Sequence, residues 1–578
     1  MNQSCLCSLP VDLLIPVVAH LPPFDLISLW LCGSKRLNAT LRYSVRRWRQ
    51  LDEGAILKWP GLIFELVGLQ EVTISTHIGG DLYFHQQDIL RLPYTLEILN
   101  LNTSGSLKWA TNLDLSSIFP NLRSLTLDPG FSASDEEKNA SIARLPPNLT
   151  SLGIFRRGGD FVLSTDLPTT LTELHVSGQD FYDRHIALLP RSLLALDLGT
   201  AVSLTKACIR HLPPNLTRLV LRAIHVSSRE FCHLPATLKS LNWSGGQVSK
   251  ATTPLPAGVK ELTVSNLEVS EEVLGALPPG LDKFHCAWLK TASESRLSSY
   301  LSRCTLRSLK LSLTVLSGTQ LLPPSLTELD GVRFSVDTSL HGLPECLTRL
   351  SIQFIRPAHH IGIIGFDHLD VFSSLIGLKY LFLSSLGECQ DPVYSFIRLP
   401  PNLESLQIEQ QVANTNVVFR CLPTTLTSLQ VPALSNLSIE GIHQLPEAIT
   451  ELVLPSDRAL SNDDIPLLPR AITSLVLPSN VSLTDACVPH LPRRLRILCV
   501  SCNPNFTDAC LEHLPKSLHQ FTTYSAKFSN AAIEKFPLSL GVLKTNAAFR
   551  GRFNDRCSKR RQEYEEAAVA PDQSPRPC

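Results

Sequence analysis

The sequence predicts an α/β solenoid: a horseshoe of about twenty repeated units with a parallel inner sheet and short outer helices, preceded by a small all-helical module. Three observations predict it. A Leu-Pro or Phe-Pro dipeptide opens the phrase L-P-x-x-L-x-x-L-x-L eighteen times, with prolines at 93, 120, 146, 168, 190, 213, 235, 256, 278, 323, 344, 400, 423, 446, 469, 492, 515 and 537. Most neighbours lie 21 to 23 residues apart, and self-similarity at a fixed period of this length means a solenoid. Within the phrase the last leucines alternate with polar residues, the period of a strand with one buried face. After several strands a helix start recurs, as in Leu483-Thr484-Asp485-Ala486-Cys487-Val488 and Phe506-Thr507-Asp508-Ala509-Cys510-Leu511.

The N-terminal segment, residues 8–48, stands outside the repeat. Leu9-Pro10, then Leu13, Leu14, Val17 and Leu21, then Asp25-Leu26, Leu29 and the basic Lys35-Arg36 read as a helical module. Leu13, Val17 and Leu21 are spaced i, i+4, i+8 and share one helix face. Asp25 is placed to start the next helix, with Leu26 and Leu29 on its apolar side. Pro16 falls inside the first of these helices and predicts a kink. Residues 49–90 follow as a linker or N-terminal cap, where Val72-Thr73-Ile74 suggests a first irregular strand.

The solenoid then occupies residues 91–546. A single amphipathic strand cannot bury its own leucines, so each unit needs neighbours. The Thr of the helix start can cap, and the Asp sits where the helix dipole favours an anion. The helix must be short, because the next Leu-Pro ends it within a few residues. Two longer gaps hold copies without proline, one at Leu306, Leu309 and Leu311 and one at Leu378, Leu381 and Leu383, which makes twenty units. The inward residues are those flanking the strand leucines: Glu173, His175 and Ser177; Arg218, Val220 and Arg222; Lys283 and His285; Ser308 and Lys310; Tyr380 and Phe382; Glu451 and Val453; Gln520, Thr522 and Tyr524. Arg, Tyr and Phe are the types that most often anchor interfaces, and Tyr380 with Phe382 places two aromatics side by side. The stretch from Ile355 to Phe372 exceeds what a repeat needs and reads either as a binding loop or as a tolerated insertion. Residues 549–578 form a charged, Pro-ending tail expected to be disordered.

Composition narrows the function classes. Lys plus Arg equals Asp plus Glu at 52 each, so no net field favours nucleic acid or an anionic membrane. The apolar run from Leu6 to Cys32 lacks a basic start and is broken by Asp12, His20, Asp25 and four prolines, which argues against a signal peptide or a membrane span. Cys208, Cys487 and Cys510, of 16 cysteines, each stand five residues before a repeat proline, a slot for a small buried thiol. This favours a reduced, intracellular protein, cytoplasmic, with Lys559-Arg560-Arg561 as a minimal nuclear signal. Cys499 and Cys502 form an isolated C-x-x-C with no His pair at zinc-ligand spacing, and no phosphate-binding or nucleophile motif occurs, so neither a cofactor nor catalysis is expected.

The repeated phrase resembles the leucine-rich repeat family in the variant whose repeats begin Leu-Pro, over roughly residues 90 to 546. The order of residues 8–48 resembles the F-box, the short helical domain that docks on the Skp-type adaptor of cullin ubiquitin ligases. Together the resemblances imply a non-enzymatic adaptor. Leu9, Pro10, Leu13, Val17, Leu21, Leu26 and Leu29 would face the Skp-type adaptor or the module core, and the concave face would hold a protein substrate through residues such as Arg218, Arg222, Lys283, His285, Tyr380, Phe382 and Tyr524. Two alternatives stay open at this point. Residues 8–48 could be a plain helical cap on a binding-only scaffold, since repeat arrays need caps. The Leu-Pro repeats are also similar to those of secreted bacterial ubiquitin ligases, but the roughly thirty residues after Ala548 are too few for the catalytic domain those enzymes carry.

Overall fold

Each described repeat except the two proline-free copies begins with a proline-set turn. Proline fixes φ near the value a tight turn needs, and the leucine three residues on donates its N–H back to the proline carbonyl, as Leu171 does to Pro168 at 3.0 Å and Leu426 to Pro423 at 3.1 Å. The chain leaves this turn as a strand. The computed structural model describes most of residues 92–545 and, before them, short strands at Gln50–Leu51, Glu71–Ser75 and Phe84–His85. Residues 1–49 and 546–578, and loop stretches including 128–141, 156–166, 356–368 and 387–397, lie outside the described residues. The helical module, most of the long stretch from Ile355 to Phe372 and the tail therefore lie outside them.

One parallel sheet of 23 strands runs through the described chain, each strand bonded to those of the neighbouring repeats. Set aside Gln50–Leu51 and Glu71–Ser75, count Val315–Leu316 with Ser308–Leu311, whose repeat it shares, and twenty units remain, from Ile98–Asn102 to Val542–Lys544. The two proline-free copies are among them, as Ser308–Leu311 and Tyr380–Leu386. This is a leucine-rich-repeat solenoid. The sheet also reaches back into the 49–90 segment, where Glu71–Ser75 pairs with Ile98–Asn102 in unbroken register.

Neighbouring repeats are tied by more than the ladder. The residue before each strand offers its carbonyl to two N–H groups of the next repeat: Thr150 accepts from Thr172 at 2.8 Å and Glu173 at 2.9 Å. Where that next residue is Thr, its hydroxyl adds a third donor to the same oxygen, as Thr172 does at 3.1 Å and Thr473 to Thr450 at 3.1 Å. A Ser or Thr two residues after the proline bridges two carbonyls of the preceding turn; Thr237 reaches Pro214 and Leu216, and Thr425 reaches Pro401 and Leu403. The recurrent Asn-Leu-Thr triplet has this structural cause, since Asn215 donates to Arg191 and Thr217 to Leu194, each at 3.0 Å.

Beneath the sheet the strand leucines form one continuous core. Leu174, Leu196, Leu219, Leu241 and Leu262 are each at most 2% exposed, and the same column continues through Leu429, Leu452 and Leu475 at 0%. The outer layer departs from expectation in kind. Most of its described turns are six-residue 3-10 segments such as Lys206–His211, Asp485–His490 and Asp508–His513, and the longest described α-helix is Glu294–Leu301. The reason is length: with a Leu-Pro due after six residues, the tighter 3-10 spiral spans the gap and an α-helix has no room to propagate. The acidic residue also does something other than meet a dipole. Asp183 accepts the backbone N–H of Thr205 at 2.8 Å and its hydroxyl, Asp485 does the same for Thr507, and Asp508 for Ser529. Each Asp thus fastens the cap of the following repeat, and Asn462 takes this role toward Thr484.

The cysteine slot is buried as the spacing predicts, with Cys208, Cys487 and Cys510 at most 1% exposed. Burial pushes the Cys208 and Cys487 thiols up to about 12 and raises that of Cys510 as well, so none is a nucleophile at neutral pH. Iodoacetamide on native protein should label the exposed Cys232, Cys346 and Cys421 while sparing these three, which react only after unfolding. Peptide mass spectrometry reads this directly, and labelling of Cys208 in the folded state would place it outside the core. No helix among the described residues is long and apolar enough to cross a membrane.

Candidate interaction face

Side chains alternate across a strand, so burying the leucines leaves two columns of every repeat on the opposite, open face. Register aligns the first column as Arg218, Ser240, Glu261, Lys283, Ser308, Glu328, Arg349, Tyr380 and Ser405. Two residues further along each strand comes the second, with His175, Asp197 and Val220 followed, after Asn242 and Thr263, by His285, Lys310, Asp330, and beyond Ser351 by Phe382 and Gln407.

The first half of this face is a row of charges that answer one another across strands. Lys283 Nζ lies 2.9 Å from Glu261, Lys310 Nζ 2.6 Å from Asp330, and Asp197 sits 3.1 Å from His175 Nδ1 and 3.7 Å from Arg222. Exposed pairs of this kind contribute roughly 0 to 1 kcal/mol each, so they set pattern more than stability. The hydrogen bond from Lys283 holds the Glu261 carboxyl below its usual range. Burial alone would raise Asp330, yet the hydrogen bonds from Lys310 and Ser351 and the nearby Arg349 charge leave it lowered. Desolvation pushes His175 and His285 down despite the neighbouring aspartates, which makes both imidazoles neutral polar groups at pH 7.

At Arg349 the character changes. Its guanidinium lies 3.9 Å from the centre of the Tyr380 ring, a cation–π stack between adjacent strands. The Tyr380 hydroxyl points to Gln407 Oε1 at 3.5 Å, and Gln407 donates to Glu409 at 2.9 Å. One strand back, Arg333 Nε donates to Gln353 Oε1 at 2.7 Å. Phe382 stands two residues after Tyr380 on the same strand, half-buried on the same face. Beyond it the second column loses its charge.

The residues expected to contact a partner divide under this geometry. Arg218, Arg222, Tyr380, Phe382, Lys283, His285 and Tyr524 all lie on the open face, with Tyr524 52% exposed. Val220, Ser308 and Thr522 share its columns but are only 3%, 7% and 5% exposed. Tyr380 and Phe382 meet in one patch, whereas Arg218 and Tyr524 stand many repeats away on either side. Leu9, Pro10, Leu13, Val17, Leu21, Leu26 and Leu29 lie outside the described residues. Sequence reading missed Arg349, Asp330 and Gln407. The signal was present, since counting from the strand leucine puts all three in the open columns. Among the described residues no group of three or more His, Cys, Asp or Glu side chains could hold a metal ion.

No family model and no curated protein matches this chain. Among solved structures it is similar to a circular leucine-rich-repeat protein, CroV588, at 17% identity and a TM-score of 0.32, covering 83% of this chain and 73% of that one. It is also similar to YopM from Yersinia enterocolitica WA-314, at 19% identity and a TM-score of 0.29, covering 83% and 88%. At these TM-scores neither likeness bears on function.

Proposed function

We propose that this chain is a protein-binding scaffold whose open sheet face receives a protein partner, and that an F-box-like module at 8–48 makes it the substrate-recognition adaptor of a cullin-type ubiquitin ligase. The observation that carries the scaffold reading is the patch at Arg349, Tyr380 and Phe382, where a stacked cation and two aromatics stand half-buried to exposed on the sheet. A parallel sheet spends its leucines on one face, and residues of the hot-spot types gathered on the other are surplus to folding. The ligase reading rests on the order of Leu9, Pro10, Leu13, Val17, Leu21, Leu26 and Leu29, an apolar helix face of the kind that packs into a partner's groove. In this division of labour the helices hold the ligase, the sheet holds the substrate, and the chain itself performs no bond chemistry.

Calorimetry of the full chain against a purified Skp-type adaptor tests the ligase half. Binding at micromolar Kd or tighter is expected, and both Leu13→Asp and Val17→Asp should abolish it by placing a charge in an apolar contact. Silence from the folded wild-type chain would leave a scaffold with no ubiquitin link.

A further inference from the structure

Resting on the reading of the open face as the partner site, we infer that its occupant is a protein segment that sets a carboxylate side chain on Arg349 and runs an uncharged, apolar stretch over the repeats that follow. Arg349 is a cation already held in place, its Cζ 3.9 Å from the centre of the Tyr380 ring. A guanidinium resting over a ring keeps its N–H fork as the part able to bind a planar anion. Carboxylates stand near it but do not close on it. Asp330 is engaged by Lys310 at 2.6 Å, and Glu328, its neighbour in register, makes no ion pair with it among the described residues. The other cations of this half are mostly answered from within the sheet, Lys283 by Glu261, Lys310 by Asp330 and Arg222 by Asp197. Arg218 also lacks an ion pair among the described residues, but no ring contact holds it there as Tyr380 holds Arg349. A guanidinium pre-set in this way matches a carboxylate through paired N–H donors, with the ordering cost already met by the stack.

The direction in which the rest of the segment runs follows from the change of composition at Phe382. From there the second open column reads Phe382, Gln407, Gln430, Val453, Val476 and Cys499, without an ionised side chain. Burying a carboxylate against that strip would cost desolvation with no cation to offset it, and the one charge of the column beside it, Glu451, already accepts from Ser428 at 3.1 Å, so an apolar stretch fits there best. Five strand spacings separate the Tyr380 strand from the Ile497 strand, about 24 Å at ~4.8 Å each, which an extended segment of about seven residues covers.

A random peptide library displayed on phage and selected on the full chain tests this, with synthetic copies of the enriched peptides measured against wild type, Arg349→Ala, Arg349→Lys and Phe382→Ala. Enrichment of Asp or Glu beside a run of apolar residues is expected. Arg349→Ala and replacement of the peptide carboxylate by its amide should each weaken binding about tenfold, and the two together should cost little more than either alone. Arg349→Lys, which keeps the charge and loses the flat fork, should recover only part. Peptides that need Phe382 but carry no acidic residue, or acidic peptides indifferent to Arg349→Ala, would overturn the inference and leave the open face as the partner site. Enriched peptides indifferent to Phe382→Ala, or no enrichment at all, would overturn both.

Discussion

Leu429→Ala should destabilise the solenoid by roughly 2 to 5 kcal/mol. Leu429 is 0% exposed at the centre of the three-residue strand Ser428–Gln430, with Leu406 and Leu452 beside it in register, themselves at 0%. Three residues of strand give the neighbours little else to hold, and a leucine removed from between two others leaves a void that the hydrogen-bonded ladder cannot collapse to fill. The position adds a second effect. In a stack where each repeat touches only its neighbours, one weak unit near the middle lets the two ends unfold apart. Urea unfolding followed by circular dichroism should therefore show both a lower midpoint and a shallower slope. Gln430→Ala is the control, since the same strand carries it on the open face, and its cost should stay within about 0.5 kcal/mol. A neutral Leu429→Ala would mean that the repeat register is wrong.

Replacing Tyr380 and Phe382 together with Ala should have the opposite profile, costing the partner about 2 kcal/mol or more of affinity, roughly thirtyfold, with the melting temperature nearly unchanged. Both side chains are half-buried on the open face, and the strand that carries them is anchored from its other side by Leu381 and Leu383, each at 0% exposure. Their removal takes away the ring under Arg349 and the hydroxyl near Gln407, so the guanidinium also loses the contact that holds it in place. The measurement is titration of a selected peptide into wild type and the double variant, alongside scanning calorimetry of both. Unchanged affinity with a collapsed melting temperature would make the pair structural and move the partner site elsewhere.

The repeat architecture was legible because its code is local. Strand alternation has a period of two and the proline recurs every 21 to 23 residues, so the leucines that reach 0% exposure, the two proline-free units and the buried slot of Cys208, Cys487 and Cys510 could all be counted off the chain. The open columns were legible for the same reason. What lay beyond counting was everything that depends on the space between repeats. Asp183 and Thr205, which lie 22 residues apart and meet only when two repeats stack, are one such case.

The same holds at the patch itself. Arg349 and Tyr380 are 31 residues apart in the chain, across a stretch longer than the usual repeat, and only the register of their strands brings ring and guanidinium to 3.9 Å. Asp485 reads from the sequence as a charge for its own helix, but the neighbouring repeat offers it an N–H at 2.9 Å and a hydroxyl, which a dipole cannot match. The sequence by itself determined which face of each repeat strand is buried and how many repeats there are, because hydrophobic alternation acts on residues already adjacent in the chain. Tertiary structure alone decided which side chains on the other face meet, because a cross-strand pair exists only once two repeats are stacked and their register is set.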